Sequence, residues 1–251
     1  MILEYHRPNT LDEALDLLQR PTPYTVPLGG GSVLSCETAL PLDVVDLQNL
    51  GLDTINVKGN TLTLGATVTL QQLLETPDIP PALGKAIRHE ATYNLRQVAT
   101  LAGSLVACDG RSAFAAAMLA LDAQLTLLPG NDTMSLGDLL PLREEPLKGR
   151  LITALEIPLN VKLGYEYVAR SPADLPVVAV AVAQWPSGRT RVVLGGMGEQ
   201  PVMAMDGAFD EDQAQSAVEN ALFSSDDQWA SAAYRIDVAK TLTKRCLDSF
   251  K

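Results

Sequence analysis

The residues most able to do chemistry sit in short glycine-rich segments. Gly29-Gly30-Gly31-Ser32 follows the apolar run Tyr24–Leu28 and precedes Val33-Leu34. Three successive glycines cost conformational entropy on folding, so they point to a local demand. One such demand is a turn with positive φ. Another is the close approach of a phosphate to bare backbone N–H donors. The segment is not a Walker A loop, since no Gly-Lys-Ser/Thr follows, and it is not a GxGxxG opening a long helix. A second stretch, Asn94–Ser104, ends in Thr100-Leu101-Ala102-Gly103-Ser104 and again places small residues after an apolar step. Two such loops could clamp one pyrophosphate from two sides without Lys or Arg. The alternative is a helix end followed by a plain loop. A third cluster, Gly195-Gly196-Met197-Gly198, reads as a turn after a strand.

Other chemistries find little material. His6 and His89 are the only histidines. With no metal-ligating partners recognised at ligand spacing, no metal site is expected. There is no GxSxG nucleophile elbow, and no carboxylate pair suggests acid–base work. Cys36, Cys108 and Cys246 are far apart and odd in number, and no CxxC occurs. That argues against a disulfide scaffold, a zinc ribbon or an iron–sulfur cluster in this chain, and for reduced, buried thiols in a cytoplasmic protein. Lys+Arg is 19 and Asp+Glu is 30, a net charge of −11. An acidic chain without basic clusters is a poor ligand for nucleic acid or an anionic membrane. Glu4, His6 and Arg7 interrupt any signal-peptide pattern, and no apolar run approaches a membrane span.

The elements that must position these residues alternate without strict βαβ order, so an α+β fold is expected. Strands are expected at Ile2–Tyr5, Tyr24–Leu28, Leu42–Leu47, Gln124–Leu128 and Leu151–Ile157, with a hairpin of Thr54–Val57 and Thr61–Leu64 around Gly59-Asn60. Thr10 and Glu13 form a capping box ahead of a helix through Leu18. Further helices are expected from Thr69 to Leu74, Ala82 to Ala91 and Ala113 to Asp122. A polar stretch, Asn160–Gly164, separates a second section. It holds three antiparallel strands (Tyr165–Ala169, Val177–Trp185, Thr190–Leu194) and helices at Glu211–Ala221 and from Trp229 onward.

The ordered set of short motifs resembles the FAD-binding medium subunit of molybdenum hydroxylases, the carbon monoxide dehydrogenase and xanthine dehydrogenase group, over nearly the whole chain. Tyr5–Ala14 resembles the family's opening strand and helix, Leu28–Ser32 its first flavin loop, Leu64–Thr69 its "iGA.vt" segment and Arg96–Ser104 its second flavin loop. Leu119–Ala123 matches "LALDA", Tyr165–Asp174 resembles "Y.K..R...D", Leu194–Gly196 "lGG", and Ala232–Arg235 "a.YR". The chain departs from the pattern at Ala102, where Gly is usual, at Ser104, where Asn is usual, at Ala113, where Asp is usual, and at Tyr167, where Lys is usual.

The resemblance implies a two-lobed, PCMH-type FAD-binding domain over 1–160, with lobes of about 1–53 and 54–160. A small C-terminal domain over 161–251 would carry a three-stranded antiparallel sheet with a helix bundle. It implies FAD held at Leu28, Gly29, Gly30, Gly31, Ser32, Val33 and Leu34 and at Thr100, Leu101, Ala102, Gly103 and Ser104, with Ile152 and Tyr167 bordering the ring. Molybdopterin would sit on a large partner subunit and 2Fe–2S clusters on a small one, with electrons leaving FAD for NAD or a quinone. The competing reading is a non-catalytic relative that has lost flavin and keeps a partner-binding role. A stand-alone flavin oxidase would need a base in its substrate domain, and residues 161–251 contain no histidine.

Overall fold

The computed structural model describes residues 1–34, 41–143 and 145–251. In chain order it runs β1 (Ile2–His6), α1 (Leu11–Leu18), β2 (Thr25–Leu28), β3 (Leu42–Asp46), β4 (Ile55–Lys58), β5 (Thr61–Gly65) and α2 (Leu70–Glu75). Next come α3 (Pro81–Glu90), α4 (Tyr93–Arg96), α5 (Leu101–Val106), α6 (Ala113–Ala120), β6 (Gln124–Leu128), β7 (Asp132–Ser135), α7 (Leu136–Leu139) and β8 (Leu151–Pro158). The chain closes with β9 (Lys162–Val168), β10 (Val178–Gln184), β11 (Arg189–Gly195), β12 (Val202–Ala208), α8 (Glu211–Leu222) and α9 (Ala232–Asp248).

Two compact units emerge, and neither is contiguous. The first comprises Met1–Thr76, Tyr93–Ala107 and Gln124–Ile157; the second comprises Pro77–Thr92, Cys108–Ala123 and Pro158–Lys251. Residues 77–92 and 108–123, which precede residue 160, belong to the second unit with 158–251, so the compact units do not follow a single division of the chain.

In the first unit, β1, β3 and β2 form a parallel sheet in that order. The sequence pattern showed these strands but not their parallel pairing. α1 starts where expected: the Thr10 hydroxyl accepts from Glu13 N–H, and the Glu13 carboxylate accepts from Asn9 N–H. Its buried face, Ala14, Leu15 and Leu18, packs with Val45 and Leu47. A five-stranded sheet, β4-β5-β8-β6-β7, completes the unit. The β4–β5 hairpin turns at Gly59, whose φ of +60° suits glycine. The N-terminus of α2 is a full capping box between Thr69 and Gln72.

In the second unit, β12-β11-β10-β9 form an antiparallel sheet. All three expected strands are present, and a fourth, β12, joins them. Its edge position leaves Val202 and Met203 exposed, so it lacks a clean alternation to betray it. Asn160–Gly164 is not a linker throughout, since β9 starts at Lys162. β10 is buried on both faces. Val178, Val180 and Val182 join Val218 and Leu222 of α8 and Ala239, Leu242 and Cys246 of α9 in one core. Every residue of α6 is buried, so this helix is apolar all round rather than amphipathic. Cys108 and Cys246 are buried, and burial pushes the Cys246 thiol up to about 12, so it stays protonated. Cys36 lies outside the described residues.

One polar group organises this unit. Arg235 is fully buried. Its guanidinium donates to the carbonyls of Val177 (3.2 Å), Ala230 (3.2 Å), Gly196 (3.4 Å) and Ser225, and makes a bidentate pair with Asp227 at 2.8 Å. A cation so placed is stable only with all its donors satisfied. Replacing Arg235 by Met should therefore cost about 3–5 kcal/mol in urea unfolding of the full chain. Arg235→Lys should recover only part of it, because an ammonium cannot reproduce the fork. A loss below ~1 kcal/mol for Arg235→Met would show that the carbonyls find other donors.

Candidate functional site

The glycine loop begins where β2 leaves the parallel sheet at Leu28. Two of its glycines are explained by close packing. A Cβ on Gly30 would lie 1.5 Å from the Val98 carbonyl oxygen, and a Cβ on Gly29 would lie 2.5 Å from Thr100 Oγ1. Gly31 is explained by conformation, with φ of +69°. The turn reading is realised at Gly31, whereas Gly29 and Gly30 are required by close packing against the chain itself rather than against a phosphate. Among the described residues, none accepts from the backbone N–H of Gly30, Gly31 or Ser32. Bare backbone amides beside a left-handed residue are donors of the kind that can bind an anion. Ser32 is half-buried, Val33 is exposed and Leu34 is half-buried in the turn that follows.

The structure brings the second segment against the first, but changes its role. Thr100–Ser104 is not a loop. Thr100 is the N-cap of α5, its hydroxyl accepting from Gly103 N–H, and Leu101 to Ser104 form the first helical turn. The Leu101 and Ala102 amides donate to the carbonyls of Val68 (2.8 Å) and Ala66 (3.2 Å), and the Ser104 amide donates to Thr100 O (2.8 Å). All four amides from Leu101 to Ser104 are therefore already used. The expected clamp of backbone donors from two sides reduces to donors on one side. The other side offers a wall and the hydroxyls of Thr100 and Ser104. Ala102 is helical, so its methyl meets no positive-φ demand.

The remaining expected residues are Ile152 and Tyr167. Ile152 is 4% exposed and sits opposite Leu127 in the five-stranded sheet, in the core of the first unit. Tyr167 belongs to the second unit, where its ring stacks on His89 at 3.7 Å between centroids. The Lys85 ammonium lies 5.7 Å from the Tyr167 ring centre. The cation that the sequence lacks at position 167 is thus supplied beside it by α3, which no local pattern could reveal. His89 is fixed by two bonds. One nitrogen lies 3.0 Å from the Asp174 carbonyl, which can only accept, so the other accepts from Tyr165 O–H at 2.9 Å. Burial, partly offset by the Asp174 bond, holds this imidazole below its usual value, consistent with a neutral structural role. The third glycine cluster is structural: the Gly196 amide donates to Gly110 O (2.7 Å) and the Gly110 amide to Gly198 O (3.0 Å).

Gly30→Ala should destabilise the protein by about 3 kcal/mol, because the backbone of Val98 must move. Ala102→Gly should cost only about 0.5–1 kcal/mol, the ordinary price of glycine in a helix. Thermal unfolding of both variants checks this; an unshifted midpoint for Gly30→Ala would refute the close approach.

Residues 1–160 match the family model described as the FAD binding domain in molybdopterin dehydrogenase. The chain is 30% identical over 242 residues to the protein YgfM of Escherichia coli, covering 94% of this chain and 91% of that one. It is 25% identical over 269 residues to the glyceraldehyde dehydrogenase medium chain of Sulfolobus acidocaldarius, covering 96% and 95%. The reconstituted CO dehydrogenase from Oligotropha carboxidovorans contains a chain of the same fold, with a TM-score of 0.82 at 24% identity and coverage of 98% and 96%. A family model covering residues 1–160, together with relatives aligned over nearly the whole chain, identifies the chain as a member of the FAD-binding medium-subunit family of the molybdenum hydroxylases.

Proposed function

We propose that this chain is the electron-transfer subunit of a molybdenum-containing hydroxylase or dehydrogenase. In this reading it takes electrons from 2Fe–2S clusters on a small partner chain and passes them through FAD to NAD or a quinone, while a large partner chain carries molybdopterin and oxidises the substrate. The observation that carries it is that the amides of Gly30, Gly31 and Ser32 have no acceptor among the described residues, in a loop whose Gly29 and Gly30 press against Val98–Thr100 within the domain that the FAD-binding family defines.

FAD supplies the redox chemistry when bound; this chain supplies position. The Gly30–Ser32 amides would neutralise a pyrophosphate without a basic side chain, in keeping with the acidic composition. Thr100 and Ser104 would add hydroxyl donors. The chain has no cysteine spacing for an iron–sulfur cluster, which favours a partner as the electron donor. Among the described residues, no helix is long and apolar enough to cross a membrane.

Retained flavin absorbance after FAD addition and removal of excess should identify the purified protein, alone or with its partner chains, as a flavoprotein. A colourless protein under both conditions would instead favour the non-catalytic relative. The loop has its own test. Gly30→Asp is a poor one, because any side chain there collides with Val98. Ser32→Asp places a negative charge beside the amides at a half-buried position; it should weaken FAD binding about tenfold or more, equivalent to ~1.4 kcal/mol. Ser32→Ala should leave affinity nearly unchanged, since the contact runs through backbone. Equal FAD affinity in Ser32→Asp and the parent would remove the loop from the binding site.

A further inference from the structure

We propose that Glu4, His6 and Asp43 form a binding site for a zinc-type divalent cation. Glu4 and His6 alternate along β1 and so share one face, while Asp43 comes from β3, the parallel neighbour. One donor atom from each of the three lies within 4.8 Å of the others. A register shift between Ile2 and Tyr5 falls at this point, and such irregularities re-aim side chains.

Three observations favour a metal over an ordinary polar contact. His6 Nε2 is buried and has no hydrogen-bond partner among the described residues. It lies 3.4 Å from Glu4 Oε2 and 3.6 Å from Asp43 Oδ2, longer than the ~2.7–2.9 Å of a charge-assisted hydrogen bond. Those spacings match the edge of a tetrahedron. Metal–nitrogen and metal–oxygen bonds of ~2.0–2.2 Å place donor atoms about 3.3–3.6 Å apart. Asp43 is also pre-oriented: its Oδ1 accepts from Glu4 N–H at 3.1 Å, leaving Oδ2 turned to His6.

The donor set narrows the ion. Magnesium and calcium take oxygen ligands, whereas an imidazole with two carboxylates suits zinc and its neighbours in the first transition row. Three protein ligands leave a fourth position for water or an outside donor. The Glu4 side chain is 68% exposed, which gives the ion a way in. The sequence pattern alone did not suggest the site: Glu4 and His6 have the right strand spacing, but Asp43 reaches them only through parallel pairing. Bound metal would tie β1 to β3.

The test uses the full chain, stripped with a chelator and titrated with zinc chloride by calorimetry, with cobalt(II) as a spectroscopic probe. One zinc per chain should bind with a dissociation constant of about 10 μM or tighter, and cobalt should show the intense visible bands of a tetrahedral ion. His6→Ala and Glu4→Gln should each weaken zinc at least about tenfold and abolish the cobalt bands. Glu4→Gln alters an exposed side chain, so it stays informative if His6→Ala does not fold. Zinc should also raise the unfolding midpoint of the parent but not of Glu4→Gln. No saturable zinc binding, or binding that Glu4→Gln leaves unchanged, would overturn the proposal and leave the cluster as a histidine flanked by two carboxylates.

Discussion

The candidate site rests on one steric fact, that nothing larger than hydrogen fits between Gly30 and the carbonyl of Val98. This contact fixes where the chain leaving β2 passes the chain entering α5. With the approach to α5 set, the Leu101 and Ala102 amides close onto Val68 and Ala66, and the Thr100 hydroxyl closes onto Gly103. The donors of one segment are consumed in building the fold, and those of the other have no acceptor among the described residues. An anion site made in this way needs no basic residue.

The second unit depends on a different kind of constraint. Arg235 draws together four carbonyls from the β9–β10 connection, the glycine cluster after β11 and the approach to α9. The cluster itself locks to Gly110 through two backbone hydrogen bonds. In both units, then, glycine permits backbone to approach backbone, but the outcomes differ. Around Gly196 the close approach is to Gly110, held by backbone hydrogen bonds of 2.7 and 3.0 Å. Around Gly31 the close approach is to Val98, and no acceptor for the Gly30, Gly31 or Ser32 amides lies among the described residues.

Pattern and spacing made much of this legible. The Thr10 cap, the helix starting at Thr69, the Gly59-Asn60 hairpin and the apolar helix over Ala113–Ala120 depend on neighbours in sequence, and they formed where their residues required. The pattern was weaker where an element is held by distant partners. β12 lies at an edge with little alternation, and Thr100–Ser104 reads as loop because its helix is short and rich in small residues. The parallel sheet was invisible because strand pairing leaves no local trace.

The sequence by itself determined the family, through motifs whose order is more specific than any one of them. It also determined the apolar periodicity of most elements and the absence of an iron–sulfur ligand set. Only the tertiary structure decided which glycines face a backbone and which face open space, since that depends on the segment lying opposite. It alone placed Lys85 over Tyr167 and Asp43 beside His6, because those partners lie 82 and 37 residues apart in the chain. Local chemistry selects helix, strand and turn, whereas a site is a meeting of distant residues, and that meeting is fixed only when the chain closes on itself.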